Sequence, residues 1–216
     1  MIEIKQICTD KKNPDLNLIS TVLDSVIKFH KINNINWVEF DYKPEVKFAI
    51  AHNDNEIFIK YVVCENSIRA IYSENNGKVW TDSCCEFFVS PDCNDCYYNF
   101  EINCIGALRL GYRKLGEKTE HAADEIINSV RRMSSLGNKP FDLRRGDCCW
   151  TLVVAIPVTA FFKHNIISLR EKTFTANFYK CGDELQNPHY LSWNPIKTEK
   201  PSFHQPAFFD KIALLN

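Results

Sequence analysis

The chain lacks most of the features that declare a function outright. No apolar run approaches the ~20 residues that a membrane-crossing helix requires, and the N-terminus lacks the basic-then-apolar order of a secretion signal. No membrane partner is expected. Neither sign of charge prevails, with 26 Lys and Arg against 27 Asp and Glu. The cations are scattered rather than gathered into a stripe, so nucleic acid is not an expected partner either. A Gly-rich phosphate loop and a nucleophile elbow are absent, which removes the common nucleotide-binding and α/β-hydrolase readings. Internal repeats, low-complexity tracts and Gly/Ser linkers are also missing, so nothing marks a domain boundary.

What is present is 216 residues, 45% hydrophobic and 25% charged, enough for one sizeable core and a single domain over 1–216. Ten cysteines first suggest a disulfide framework. Their settings argue otherwise: Cys104 and Cys148 alternate with apolar residues as small hydrophobes do. Cys84-Cys85 and Cys148-Cys149 point to opposite faces of a strand, so neither pair serves one bridge or one metal. Mostly free, buried thiols are expected, which favours a reducing compartment. Cytoplasmic localisation follows, or a periplasmic or extracellular one for a chain trimmed of its leader.

Leu16, Ile19, Val22, Leu23, Val26 and Ile27 recur at spacings of three and four after Asn13-Pro14, predicting an amphipathic helix over 15–32. From Phe48 the period changes to two. Strands are expected at 48–52, 56–63, 68–73, 84–90, 97–105, 108–112, 149–156, 173–179, 190–196 and 209–214. A surface helix is expected over 120–136 and a short one over 158–163. The fold class is thus mostly β: an antiparallel sandwich over 46–216 carrying the N-terminal helix and one or two surface helices.

The most telling stretch is Gly77 to Pro91 followed by Tyr97 to Asn103. Strand alternation sends Tyr98, Phe100 and Ile102 one way and Asn99, Glu101 and Asn103 the other, with neighbours on that face ~6.6 Å apart. Such a polar face is either solvated or built to hold a polar ligand. A mixture of carboxylates and amides suits vicinal hydroxyls, which both donate and accept protons. A second polar face comes from Asn177 and Tyr179, since Phe174, Ala176 and Phe178 alternate inward. Trp80 and Tyr179 are rings able to stack on the C–H face of a sugar; ordinary core is the alternative reading for the tryptophan.

The runs Val79-Trp80-Thr-Asp82-Ser83-Cys-Cys-Glu86-Phe-Phe-Val, Tyr97-Tyr-Asn-Phe-Glu101-Ile-Asn103-Cys-Ile-Gly106 and Ala176-Asn177-Phe-Tyr-Lys180-Cys-Gly182-Asp183 resemble the family 9 carbohydrate-binding modules, especially stand-alone proteins of Bacteroidetes type. The resemblance takes in Pro188-His189-Tyr-Leu-Ser-Trp193 and Pro201-Ser-Phe-His204, and so runs from Phe48 to the end. It implies an immunoglobulin-like or jelly-roll sandwich that grips a terminal sugar of glucans or xylans. Trp80 matches one aromatic clamp, and Glu86 matches a hydroxyl acceptor. Asn103 and Asn177 match polar ligands. Where the xylanase modules carry a second tryptophan this chain has Lys180, so Tyr179 or Trp193 would have to supply the second ring. Lys180 itself is either a donor to an acidic sugar or a partner of Glu101. No cofactor is implied beyond a structural calcium, for which the Ser90–Asp95 turn offers oxygens. A carbohydrate ligand and a glycoside hydrolase are the implied partners.

Two rival readings use the same residues. A glycosidase would employ Glu86 and Glu101 as an acid/base pair, although relatives with this motif bind rather than cleave. Cys93-Asn-Asp-Cys96 supplies half a zinc site at best, with His189 or His204 to complete it. His189, Trp193 and His204 are equally explained as locks on the closing strands. Arg69, Glu65 and Asp82 form either a buried charge network or a rim.

Overall fold

The computed structural model describes residues 1–9, 13–92 and 95–216. The chain begins with β1 (Ile2–Gln6), α1 (Leu16–Val26), and the short strands β2 (His30–Lys31) and β3 (Asn34–Ile35). The long hairpin β4 (Glu45–His52) and β5 (Glu56–Ala70) follows, then β6 (Cys84–Ser90), β7 (Cys96–Asn103), β8 (Leu108–Lys114) and β9 (Glu120–His121). After α2 (Asp124–Ser129) come β10 (Arg131–Ser134), β11 (Phe141–Pro157), β12 (Thr173–Cys181), β13 (Tyr190–Ser192) and β14 (Asp210–Leu214).

These strands form a two-layer β-sandwich. One layer runs β10-β11-β5-β4 and the other β14-β12-β6-β7-β8-β9, and β1 joins them by pairing with both β4 and β14. Pairing is antiparallel except for those two contacts of β1, which are parallel. Between the layers the rings of Phe48 and Phe178 stack at 3.8 Å, Phe178 and Phe87 at 4.8 Å, and Phe87 and Phe100 at 6.2 Å. This aromatic ladder crosses from one sheet to the next and anchors the main core.

Both outer faces are covered as well, which is why β6 and β7 are buried along their whole length. On one side Ile19 and Leu23 of α1 pack on Ala49, Ala51, Phe58, Val153 and Ala155. Small residues under the helix let it approach the sheet, and Lys60 Nζ reaches Asp24 at 2.7 Å. On the other side the segments around Trp37, Val79, Ile196 and Phe203 close over Cys84, Phe88, Tyr97 and Tyr179.

Three expectations need correction. The N-terminal helix stops at Val26 rather than at residue 32, because His30–Lys31 pair with Lys47–Phe48 and Ile32 turns into the core. The helix expected over 120–136 shrinks to Asp124–Ser129. Its flanks are taken by the ladders: Glu120–His121 extend β8, and Arg131–Ser134 pair with β11. Hydrogen bonds to a waiting strand outweigh a modest helical preference. The segment over 158–163 forms only a 3-10 turn, Val158–Ala160.

The thiol reading is corrected at one place. Cys64 and Cys149 lie directly opposite in β5 and β11 and form a disulfide. Cys84, Cys85, Cys104 and Cys181 are free and buried. Reduction of the Cys64–Cys149 bridge is expected to lower unfolding free energy on the order of 2 kcal/mol, since it closes a long loop in the unfolded chain. Denaturant titrations with and without reductant, compared with the same pair for Cys64→Ala, measure it. An equal effect of reductant on the variant would sink that assignment.

Candidate binding cavity

The outer face of β12-β6-β7-β8 carries the polar residues in straight cross-strand rows. Tyr179, Glu86, Glu101 and Arg109 stand side by side across four strands. Asn177, Phe88, Asn99 and Gly111 form the next row on one side, and Cys181, Cys84 and Asn103 the row on the other. Above them opens a cavity of about 360 Å³ lined by Trp80, Glu86, Glu101, Arg109, Arg113 and Asp183, with Phe88, Cys181, Tyr190 and the 201–204 segment completing the wall.

Trp80 sits on the 3-10 turn Val79–Thr81, which two backbone hydrogen bonds hold in place. Its carbonyl accepts from Asp183 N at 3.3 Å, and Thr81 O accepts from Glu184 N at 3.1 Å. The buried Asp82 carboxylate fixes the approach by accepting from the backbone of Ile71 and Tyr72, both at 3.1 Å. Arg69 lies 3.6 Å from Asp82 and also pairs with Glu184. Arg109 is aimed by donation to Asn76 O at 2.9 Å and to His121 Nε2 at 3.0 Å. Its guanidinium lies 4.9 Å from the Trp80 ring centroid, a cation–π contact that orients both side chains.

Like charges directly opposite on a sheet repel, and Glu86 faces Glu101. Burial, then the Glu101 charge, pushes the Glu86 carboxyl well above its usual range. Burial likewise raises Glu101 to about 7, opposed by the Asn99 amide and by Arg109 and Arg113. Asp183 rises to about 6 by burial, against a hydrogen bond from Tyr190. His204 falls to about 3, from burial and the two arginines, so its ring is neutral beside Tyr97, whose hydroxyl lies 3.0 Å from Nδ1. At neutral pH the floor therefore offers a protonated carboxyl, carboxylate oxygens and two guanidinium groups in one enclosure, a full set of donors and acceptors for hydroxyls.

Of the residues singled out from sequence, Trp80, Glu86 and Glu101 meet at this cavity. Tyr179 shares their face but lies fully buried beneath the wall, stacked on Phe203 at 4.2 Å, with its hydroxyl donating to Phe203 O. Asn103 and Asn177 also share the face, yet their amides are occupied. Asn103 donates to Tyr72 O and Asp82 and accepts from Ala107 N. Asn177 donates to Asn194 O and Phe208 O and accepts from Asn194 N. Both secure the loops that build the cavity.

Lys180 and Trp193 are placed elsewhere. Lys180 alternates to the inner face, where it meets Glu65 rather than Glu101 or a ligand. Trp193 packs edge-on against Phe48 and Phe178 between the sheets. His189 is a lock, with Nδ1 donating to Asn187 O at 2.8 Å. The Ser90–Asp95 turn and Cys93 lie partly outside the described residues; Asp92 in that turn reaches His164 Nε2 at 3.1 Å.

Arg109, Arg113 and Asp183 were not anticipated, and His204 was read as a candidate metal ligand or a lock on the closing strands, not as part of a cavity wall. A signal for the arginines existed: period two along β8 puts Arg109 and Arg113 on one face, and a hairpin with β7 brings that face beside Glu101. Asp183 and His204 arrive on loops whose course no periodicity encodes.

A two-layer sandwich with a polar, aromatic-walled cavity on one outer face is the architecture of a ligand-binding module. Residues 18–214 match the model for carbohydrate-binding family 9, and the chain belongs to that family. A Bacteroides uniformis protein, provisionally described as carbohydrate-binding, is 46% identical over 99% of this chain and 98% of its own, with a TM-score of 0.95. A family 9 module from Caldicellulosiruptor kristjanssonii, solved with glucose and with cellotriose, shares 11% identity and a TM-score of 0.60. Those two structures cover 99% of this chain and 94% and 93% of theirs; at that identity the likeness establishes the fold. No curated protein matches the sequence.

Proposed function

We propose that the cavity holds the end of a mono- or oligosaccharide of glucan or xylan type and does not cleave it. The observation that carries this reading is the row Glu86–Glu101–Arg109 beneath Trp80, which puts hydroxyl-matching groups and a ring for C–H stacking into one enclosure. The glucose and cellotriose bound by the Caldicellulosiruptor module support the ligand class. The second ring comes from Tyr190 or Phe203, both in the wall. A separate glycoside hydrolase acting on the same glycan is the partner we propose for it.

The hydrolase reading is disfavoured by direction. Glycosidases flank the scissile bond with their two carboxyl groups, whereas Glu86 and Glu101 are neighbours on one sheet face and meet a sugar from the same side. Small sugars return little net free energy on burial, so dissociation constants roughly between micromolar and millimolar are expected. Calorimetry with xylose, glucose, cellobiose and glucuronic acid tests this; no heat from any of them would overturn it. Glu86→Gln keeps the shape but loses the full acid/carboxylate repertoire, and a roughly tenfold loss of affinity is expected. Release of reducing ends from aryl-glycosides, abolished by the same change, would restore the enzyme reading.

A further inference from the structure

We propose that Cys84, Glu86 and Cys181 form a binding site for a thiophilic divalent cation, of which zinc is the type, in the floor of the cavity. The site stands on these three side chains and does not depend on the saccharide reading.

Register creates the cluster. Cys84 of β6 and Cys181 of β12 are directly paired across the ladder, and Glu86, two residues along β6, projects from the same face. One ligand atom from each lies within 4.8 Å of the other two, and Cys181 Sγ is 3.2 Å from Glu86 Oε1. A tetrahedral zinc with bonds of about 2.3 Å to sulfur and 2.1 Å to oxygen needs separations of roughly 3.6–3.8 Å. Small rotamer adjustments reach that. Cys85, adjacent in sequence, points into the main core and takes no part.

Three ligands make an incomplete zinc site, and the geometry supplies the fourth place. Glu86 and Cys181 both border the cavity, so a cation between them would present an open coordination position to it. Water or a ligand hydroxyl would fill that position. The surrounding charge favours a dication: Glu101 and Asp183 both act on Glu86, while the nearest lysine, Lys180, has its ammonium on the other side of the sheet. Arg109 and Arg113, at the far side of the floor, oppose the cation less because Arg109 lies beside Glu101. Binding would displace the protons of both thiols and of the Glu86 carboxyl into solvent, leaving two thiolates and a carboxylate on the metal.

Cobalt(II) titration of the purified full chain in a phosphine reductant reads the site directly. One equivalent should give thiolate-to-cobalt charge-transfer absorption and the intense visible bands of a four-coordinate ion, both erased by zinc. Cys181→Ser should cost at least half of the charge-transfer intensity, and Glu86→Gln should weaken cobalt affinity at least tenfold while the fold is retained by circular dichroism. Cys8→Ser, which changes an exposed thiol away from the cluster, should leave the spectrum intact. Absence of the charge-transfer band in the unaltered protein overturns the proposal whatever the variants do. So does a band that survives Cys181→Ser and Glu86→Gln, or one lost in Cys8→Ser.

Discussion

Lys180→Ala is expected to lower the unfolding free energy by about 3–5 kcal/mol, the cost of leaving a buried charge without its partner. Lys180 is fully buried between the sheets, where its ammonium makes two hydrogen bonds and one ion pair. Nζ donates to Cys181 O at 2.9 Å and His189 Nε2 at 2.8 Å, and lies 2.8 Å from Glu65 Oε2. Glu65 Oε2 accepts no hydrogen bond and lies 3.9 Å from His189 Nε2, so its contact with Lys180 is an ion pair; Oε1 accepts from Trp150 Nε1. Burial lowers the Lys180 pKa, but Glu65 outweighs it and holds the pKa above that of a free lysine. The pair's stabilisation is thus complete below the free-lysine value and is lost only as pH rises through the higher folded value. Urea titration of Lys180→Ala and of Lys180→Met with Glu65→Leu measures the effect. The double variant should recover most of the loss, because apolar groups of similar volume need no partner. A single-variant loss below about 1 kcal/mol would contradict this account. The double variant should also bind sugar normally, since Lys180 faces away from the cavity.

Trp80→Ala is expected to weaken saccharide binding at least about thirtyfold, roughly 2 kcal/mol, as removal of an aromatic anchor does. The loss has two sources. The stacking surface disappears, and Arg109 loses the ring that orients it. Trp80→Phe keeps a ring in place and should retain affinity within a few-fold. Calorimetry on both variants, with thermal melts to confirm folding, decides the matter. Unchanged affinity in Trp80→Ala would remove the cavity from consideration as the sugar site.

Period two was strong enough in the sequence to reveal the sandwich, because both of its layers bury at least one face. It was weaker on where strands begin and end. Residues 56–70 read as two strands but form one, β5, and the strand expected over 149–156 begins at Phe141, through a stretch that carries no buried face. Strand β1 escaped notice although Ile2 and Ile4 alternate with Glu3 and Lys5, because so short a run does not mark a strand without the two layers it joins. The cavity was legible through Trp80, Glu86 and Glu101, which lie on or beside adjacent strands close in sequence. Tyr179, Asn103 and Asn177 were read as ligands because alternation reports the face of a side chain, not what covers it.

By itself, then, the sequence determined which face each strand residue occupies and that carboxylates, amides and an indole gather on one of them, since alternation follows from the geometry of a single extended chain. Only the tertiary structure decided which of those groups stay open to a ligand. The reason is that occupation depends on loops distant in sequence: Phe203 covers Tyr179, Ala107 and Tyr72 satisfy Asn103, and Asn194 satisfies Asn177. The Cys64–Cys149 bridge and the Lys180–Glu65 pair were decided in the same way, by strands that meet only when the two layers close.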